Sequence, residues 1–188
     1  MSWENDMDRQ EQGFTEAVDR IAADLDQILS DRPDPRTMFN GLSRSLLQEF
    51  EIKKGFLALR EDDQTRFLAV AAWKEDKTRK NLSLRLPNIS SLFEKVAESG
   101  QIYSENFAAL FDGNYMERQL LIDDDTASFM LRPLKYEAKV VALIGYSSEA
   151  SEAFMAFEEG MLDSVFDRVG AHLGRLDAER SEVKNPAV

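Results

Sequence analysis

The stretch from Thr126 to Ser147, TASFMLRPLKYEAKVVALIGYS, constrains the fold of this chain more than any other. It reads as a β-hairpin. One apolar run ends at Pro133-Leu134, a polar turn falls at Tyr136-Glu137-Ala138, and a second apolar run spans Lys139 to Tyr146. Both runs are rich in β-branched or aromatic residues, have strand length and are bounded by turn-prone residues. A long amphipathic helix follows directly. Strands and helices in one compact stretch place the chain in the α+β class.

The 188 residues suit one domain with extensions. The net charge of −12 is unevenly placed. Met1 to Arg32 holds nine acids and three bases, Glu149 to Glu182 holds nine and three again, and the rest of the chain sums to zero. Such acidic ends repel nucleic acid and anionic lipid, so neither is expected as a partner. No apolar run is long enough to span a bilayer, and the polar, acidic start lacks the pattern of a secretory signal. The expected location is the cytoplasm. There is no cysteine, which excludes disulfides, thiol catalysis and thiolate metal sites.

The first helix is expected from about Met7 to Leu29. Phe14, Val18, Ile21, Leu25 and Ile28 recur at heptad spacing. Near the C-terminus Leu162, Phe166, Val169, Leu173 and Leu176 repeat the pattern within a helix expected from Glu152 to about Arg180. Each seam could pack on its own domain or pair with a second copy; the recurrence favours a homodimer. The expected organisation is a dimerisation helix over residues 1–32, a domain over 33–180 including the final helix, and a disordered tail over 181–188. Gly170 and Gly174 are expected to allow close helix–helix approach.

Between the ends, Asp34-Pro35 is a helix start: Asp caps free backbone N–H groups and Pro fits the first turn. That helix runs to about Phe50. Strands are expected at Gly55–Leu59 and Arg66–Trp73, joined by a turn that accounts for Asp62-Asp63. Lys74–Lys80 reads as a charged loop, Asn81–Leu86 as a short exposed strand, Ile89–Ser99 as a helix stopped by Gly100, and Gln101–Ser104 as a brief strand. Glu105–Asp125 is long for a connection. Its apolar residues, Phe107, Leu110, Phe111, Tyr115 and Met116 among them, need burial, so it reads as a lid over a pocket or as packing on one sheet face. Asp123-Asp124-Asp125 lacks the alternation and glycine of a calcium loop and reads as an exposed turn or a cap.

Little catalytic material is visible. The lone His172 reads as a surface or seam residue. No Walker loop, dinucleotide turn, nucleophile elbow or zinc-helix motif occurs, and neither metal nor cofactor is expected. The most pointed residue is Arg132, a cation in an apolar strand. Its partner is an anionic ligand or, more simply, an internal carboxylate.

The order of elements resembles that of a GAF domain, a relative of the PAS fold. The residues that carry the resemblance are Ser128-Phe129-Met130-Leu131-Arg132-Pro133-Leu134, the strand Lys139–Tyr146, Phe154 opening the final helix, and Leu92–Ser104 as a helix-Gly-strand segment. It covers about Asp34 to Leu176. The resemblance implies a central antiparallel sheet of five to six strands flanked by long terminal helices. It also implies a non-enzymatic sensory or regulatory domain that binds a small molecule, signals through dimeric terminal helices and passes its output to a protein partner. The alternative is an interaction module whose pocket is filled by side chains. The Asn-Lys-x-Phe-Asp-Glu run of cyclic-nucleotide-binding members is absent, as are the cysteines of bilin-binding and methionine-sulfoxide-reducing members. By resemblance the pocket lies between one sheet face and the long loop. Ser128, Met130 and Arg132 share a strand face by period two, and Trp73, Phe107, Phe111 and Tyr115 are expected to supply apolar walls.

Overall fold

In the computed structural model, residues 3–61, 66–75, 77–79 and 81–184 are described, with side chains from residue 12 to residue 183. The expected Asp62-Asp63 turn lies outside these residues. Helix α1 (Trp3–Ser30) is followed by α2 (Pro35–Glu49). The Asp34 side chain accepts from the N–H groups of Arg36 and Thr37 and from the Thr37 hydroxyl. The Thr37 hydroxyl bond holds the Asp34 carboxyl below its ordinary range.

Strands β1 (Lys54–Arg60), β2 (Phe67–Lys74), β3 (Lys77–Thr78), β4 (Leu84–Arg85), β5 (Tyr103–Glu105), β6 (Ser128–Tyr136) and β7 (Lys139–Ser148) form one antiparallel sheet. Its order is β3-β2-β1-β7-β6-β5, with β4 also beside β2. Seven strands exceed the expected five to six because a two-residue ladder, Trp73 with Thr78 and Lys74 with Lys77, forms inside the expected charged loop. In the β6–β7 hairpin Met130 faces Tyr146 and Arg132 faces Ile144. Its two-residue turn places Glu137 and Ala138 at φ 48° and 64°, the left-handed pair that matches strand twist.

The two sheet faces are covered differently. On one, Leu57, Met130, Ile144 and Tyr146 share a core with α2 and the last helix, α6 (Asp163–Lys184), and α1 packs on those two helices. The Tyr146 hydroxyl meets Ser43 Oγ at 2.8 Å inside this core, and burial pushes its pKa up. On the other, Phe56, Ala58, Phe129, Leu131 and Leu143 pack against α3 (Leu92–Ser99) and α4 (Tyr115–Leu121). Gly100 ends α3 at φ 64°. The phenyl ring of Phe56 lies across Gly145, where a Cβ would collide with it.

Several sequence expectations change here. The final helix is interrupted: α5 (Met155–Glu158) is followed by Gly160 at φ 78° before α6 begins. Helix α6 runs through residues 181–184, expected to be a disordered tail. Gly170 and Gly174 serve a helix–strand contact. A Cβ on the first would meet the Lys135 carbonyl and on the second the Tyr136 ring. His172 is buried, and its Nε2 meets the Pro33 carbonyl at 2.8 Å, tying α6 to the α1–α2 connection.

The heptad seams serve the chain's own core. Ile21, Leu25, Leu162, Phe166, Val169 and Leu173 are buried within the single chain, while Val18, Ile28 and Leu176 are half-buried. Only Phe14 stands exposed. Heptad spacing specifies an apolar stripe and not what covers it. Here α1 is covered by α2 and α6, and α6 by the sheet, so residues 17–29 of α1 pack into the domain.

Candidate functional site

The expected pocket residues do not converge. Trp73, Ser128, Met130 and Arg132 lie toward the helix face, while Phe111 packs on the other. Period two groups Ser128, Met130 and Arg132 correctly, but it does not say which side of the sheet the group faces. Trp73 and Met130 are core. Ser128 Oγ donates to the Ala150 carbonyl at 2.6 Å. Arg132 pairs with Asp163 at 2.6 Å and lies 4.8 Å from the centre of the Phe166 ring, the internal carboxylate pairing of its two readings. Phe107, Leu110 and Tyr115 point outward, contrary to the burial expected of them.

Aromatic side chains fill the space between the sheet and its cover of α3 and the long segment. Phe56 stacks on Phe93 at 4.7 Å, and Phe111 sets its edge on Phe129 at 5.4 Å. The segment folds into a 3-10 turn (Ala108–Leu110) and α4. Glu117 pins it. This fully buried carboxylate accepts from Leu92 N at 3.0 Å, Phe93 N at 3.4 Å, Asn114 N at 3.2 Å and the Ser91 hydroxyl. It thereby caps α3 and α4 together, while Asn114 accepts from Met116 N and Glu117 N. Burial pushes the Glu117 carboxyl up, and its hydrogen bonds only partly offset that. The sequence carried the signal, since Asn114-x-x-Glu117 before an apolar pair is a capping box. Its reach to α3 needed the fold.

The opening that does exist lies at the rim of this face. A pocket of about 390 Å³ sits between α4 and the β2–β3 turn, with Ala72 and Leu120 among its apolar lining. Lys54, Lys74, Lys77 and Arg79 surround it, accompanied by Glu75. These four bases outnumber the described acids beside them, Glu75, Asp123 and Asp125, on a chain of net charge −12. Lys54 and Lys74 come from the paired ends of β1 and β2, opposite one another. They share one carboxylate: Lys54 Nζ meets Asp123 Oδ1 at 3.0 Å and Lys74 Nζ meets Asp123 Oδ2 at 2.9 Å. Lys54 also donates to the Gln119 carbonyl at 2.8 Å, at the end of α4. Burial works to raise the Asp123 carboxyl, but the two lysines hold it below its ordinary range. The bond to Asp123 in turn raises Lys74.

Of the expected pocket residues Trp73 lines this site, but sequence reading missed its cations because the three lysines lie on three strands and meet only through pairing. The acidic triplet divides: Asp123 takes both lysines while Asp124 and Asp125 are exposed. Among the described residues no group of acids and histidine could hold a metal ion, and no helix is long and apolar enough to cross a membrane.

No family model and no curated protein matches the chain. Solved structures do. A GAF domain from a Coxiella burnetii phosphoenolpyruvate-protein phosphotransferase superposes with a TM-score of 0.66 at 16% identity, over 87% of this chain and 98% of that one. A GAF domain of a Bacillus halodurans two-component sensor histidine kinase gives 0.62 at 13% identity, over 75% and 94%. A type II free methionine-R-sulfoxide reductase from Thermoplasma acidophilum gives 0.57 at 18% identity, over 73% and 90%. The reductase corrects one expectation: this fold also carries enzymes, so the absence of catalysis does not follow from it. Element order, sheet topology and these superpositions agree that the chain has the fold of a GAF domain.

Proposed function

We propose that the chain is a cytoplasmic regulatory domain that senses a small anionic molecule in the pocket beside α4. The observation that supports this reading most is the cluster of Lys54, Lys74, Lys77 and Arg79 around an apolar floor on an otherwise acidic chain. A carboxylate or phosphate would engage the ammonium and guanidinium groups, and a small apolar part would cover Ala72 and Leu120. GAF domains within a phosphotransferase and a sensor kinase support the regulatory setting.

Asp123 gives the site a two-state character. Its carboxylate already occupies the two innermost ammonium groups. An incoming anion competes for them, releases Asp123 and loosens the connection from α4 to β6. A ligand shifts such an equilibrium only by its difference in affinity for the two states, and that difference here is access to Lys54 and Lys74.

An NMR titration of backbone amides with inorganic phosphate tests this reading. Perturbations should gather at Lys54, Lys74, Lys77, Arg79 and Gln119, and the double variant Lys77→Glu, Arg79→Glu should abolish them. Both side chains are exposed, so the variant should fold. Perturbations scattered over the surface, or unchanged in the variant, would refute the site. The aromatic filling under the long segment supports a second reading, an interaction module without a ligand.

A further inference from the structure

Helix α1, the end of α2 and the α5 region enclose a trough of about 680 Å³. Its lining includes two large exposed apolar side chains, Phe14 (43% exposed) and Met155 (50%), with Phe50 and Met161 half-buried between them. The base is firm, because Phe50 sets its ring on the core residue Phe157 at 5.0 Å. Past Phe50 and Glu51 the trough continues into a second hollow of about 470 Å³ that reaches Ala150. Exposed Phe and Met on one groove cost free energy in water, and methionine adapts to apolar partners of varied shape.

The rim is acidic. Glu51, Glu152 and Glu159 are exposed, and among the described residues none of them enters an ion pair. The remaining rim acids are satisfied within the chain: Glu49 by Arg20 at 2.8 Å, and Glu149 by Lys53 at 2.8 Å. Among the described residues every uncompensated rim charge is therefore negative. An apolar groove bordered by carboxylates fits an amphipathic helix whose apolar face carries anchors at helical spacing and whose flanks carry Lys or Arg. A second copy of the chain is a poor occupant. Phe14 of α1 lines the trough, and the sequence around it, residues 3–16, holds five acids and one base, so pairing through this stretch sets like charges together. An anionic membrane meets the same repulsion.

We propose that this trough docks a cationic amphipathic helical segment of another protein. The trough shares no lining residue with the pocket beside α4 and is opposite to it in charge, so neither proposal depends on the other.

The test is fluorescence anisotropy on the full chain with a short labelled peptide, Leu at helical anchor positions and Lys elsewhere. Met155→Lys and the double variant Glu152→Lys, Glu159→Lys should each weaken binding by about tenfold. A control double variant away from the trough, Glu98→Lys with Glu182→Lys, changes net charge equally and should stay within about twofold. All these side chains are exposed, and unchanged thermal midpoints would confirm folding. Equal weakening by the trough and control variants would reduce the effect to bulk charge and overturn the proposal. So would the absence of binding, or self-association of the free chain that Met155→Lys abolishes.

Discussion

The two faces of the sheet reach similar burial by different means. The helix face is covered by α2 and α6 with α1 on them, long elements whose apolar residues recur at regular spacing and interlock, with polar contacts such as Ser43–Tyr146 and His172–Pro33 added to that interlock. The loop face is covered by the short elements α3 and α4, which cannot hold themselves by length. They are fixed by one carboxylate, Glu117, and by the lysine bridge at Asp123. The difference teaches where change is possible. Apolar interlock is cooperative and hard to shift, whereas a face pinned by a few polar contacts can be released by altering one charge.

The largest expected effects probe the apolar part of each face. Phe166→Ala on the helix face and Phe93→Ala on the loop face should each cost about 3–5 kcal/mol, because both side chains are fully buried. Phe93→Ala should fall at the lower end, since α3 is short enough to settle into the cavity. Urea unfolding measures both, and a greater loss for Phe93→Ala would break the contrast in rigidity.

Next comes the polar pin. Glu117→Ala leaves two helix starts and a hydroxyl without their acceptor and should cost about 2–3 kcal/mol. Hydrogen exchange should then quicken in α3 and α4 while α6 stays protected. Loss of protection throughout would mean that the loop face is not a separable unit. Gly170→Ala tests the helix face by crowding the Lys135 backbone, at about 1–3 kcal/mol.

The smallest effects are those of pH, and they have opposite signs. Glu117 has a raised folded pKa, so its contribution is full below the ordinary carboxylate value and is lost as pH rises through the raised one. Asp123 has a lowered folded pKa, so its contribution is present above the ordinary value and is lost as pH falls through the lowered one. Glu117→Gln should therefore flatten the decline on the rising side, and Asp123→Asn the decline on the acid side. Urea midpoints measured across pH separate the two, and equal slopes in both variants would contradict the assignment.

What the sequence revealed follows the same division. The β6–β7 hairpin, the Asp34-Pro35 helix start and the heptad stripes were legible because they are periodic or locally capped. The partner of each stripe was not, since Leu25 and Phe166 would look the same against the chain's own elements or a second copy. The loop face was nearly illegible. Its order depends on Glu117 reaching α3, and its pocket on Lys54 and Lys74 meeting across two strands. Neither contact leaves a periodic trace, and the face on which Met130 and Arg132 lie cannot be read from alternation alone.

The most direct test of the account is the affinity for inorganic phosphate of the Asp123→Asn variant against the parent chain, at equal ionic strength. If Asp123 competes with the ligand for Lys54 and Lys74, removing its charge should tighten phosphate binding by about tenfold at the same amides. Unchanged or weaker binding would show that Asp123 is not the ligand's competitor, and the two-state mechanism would fail.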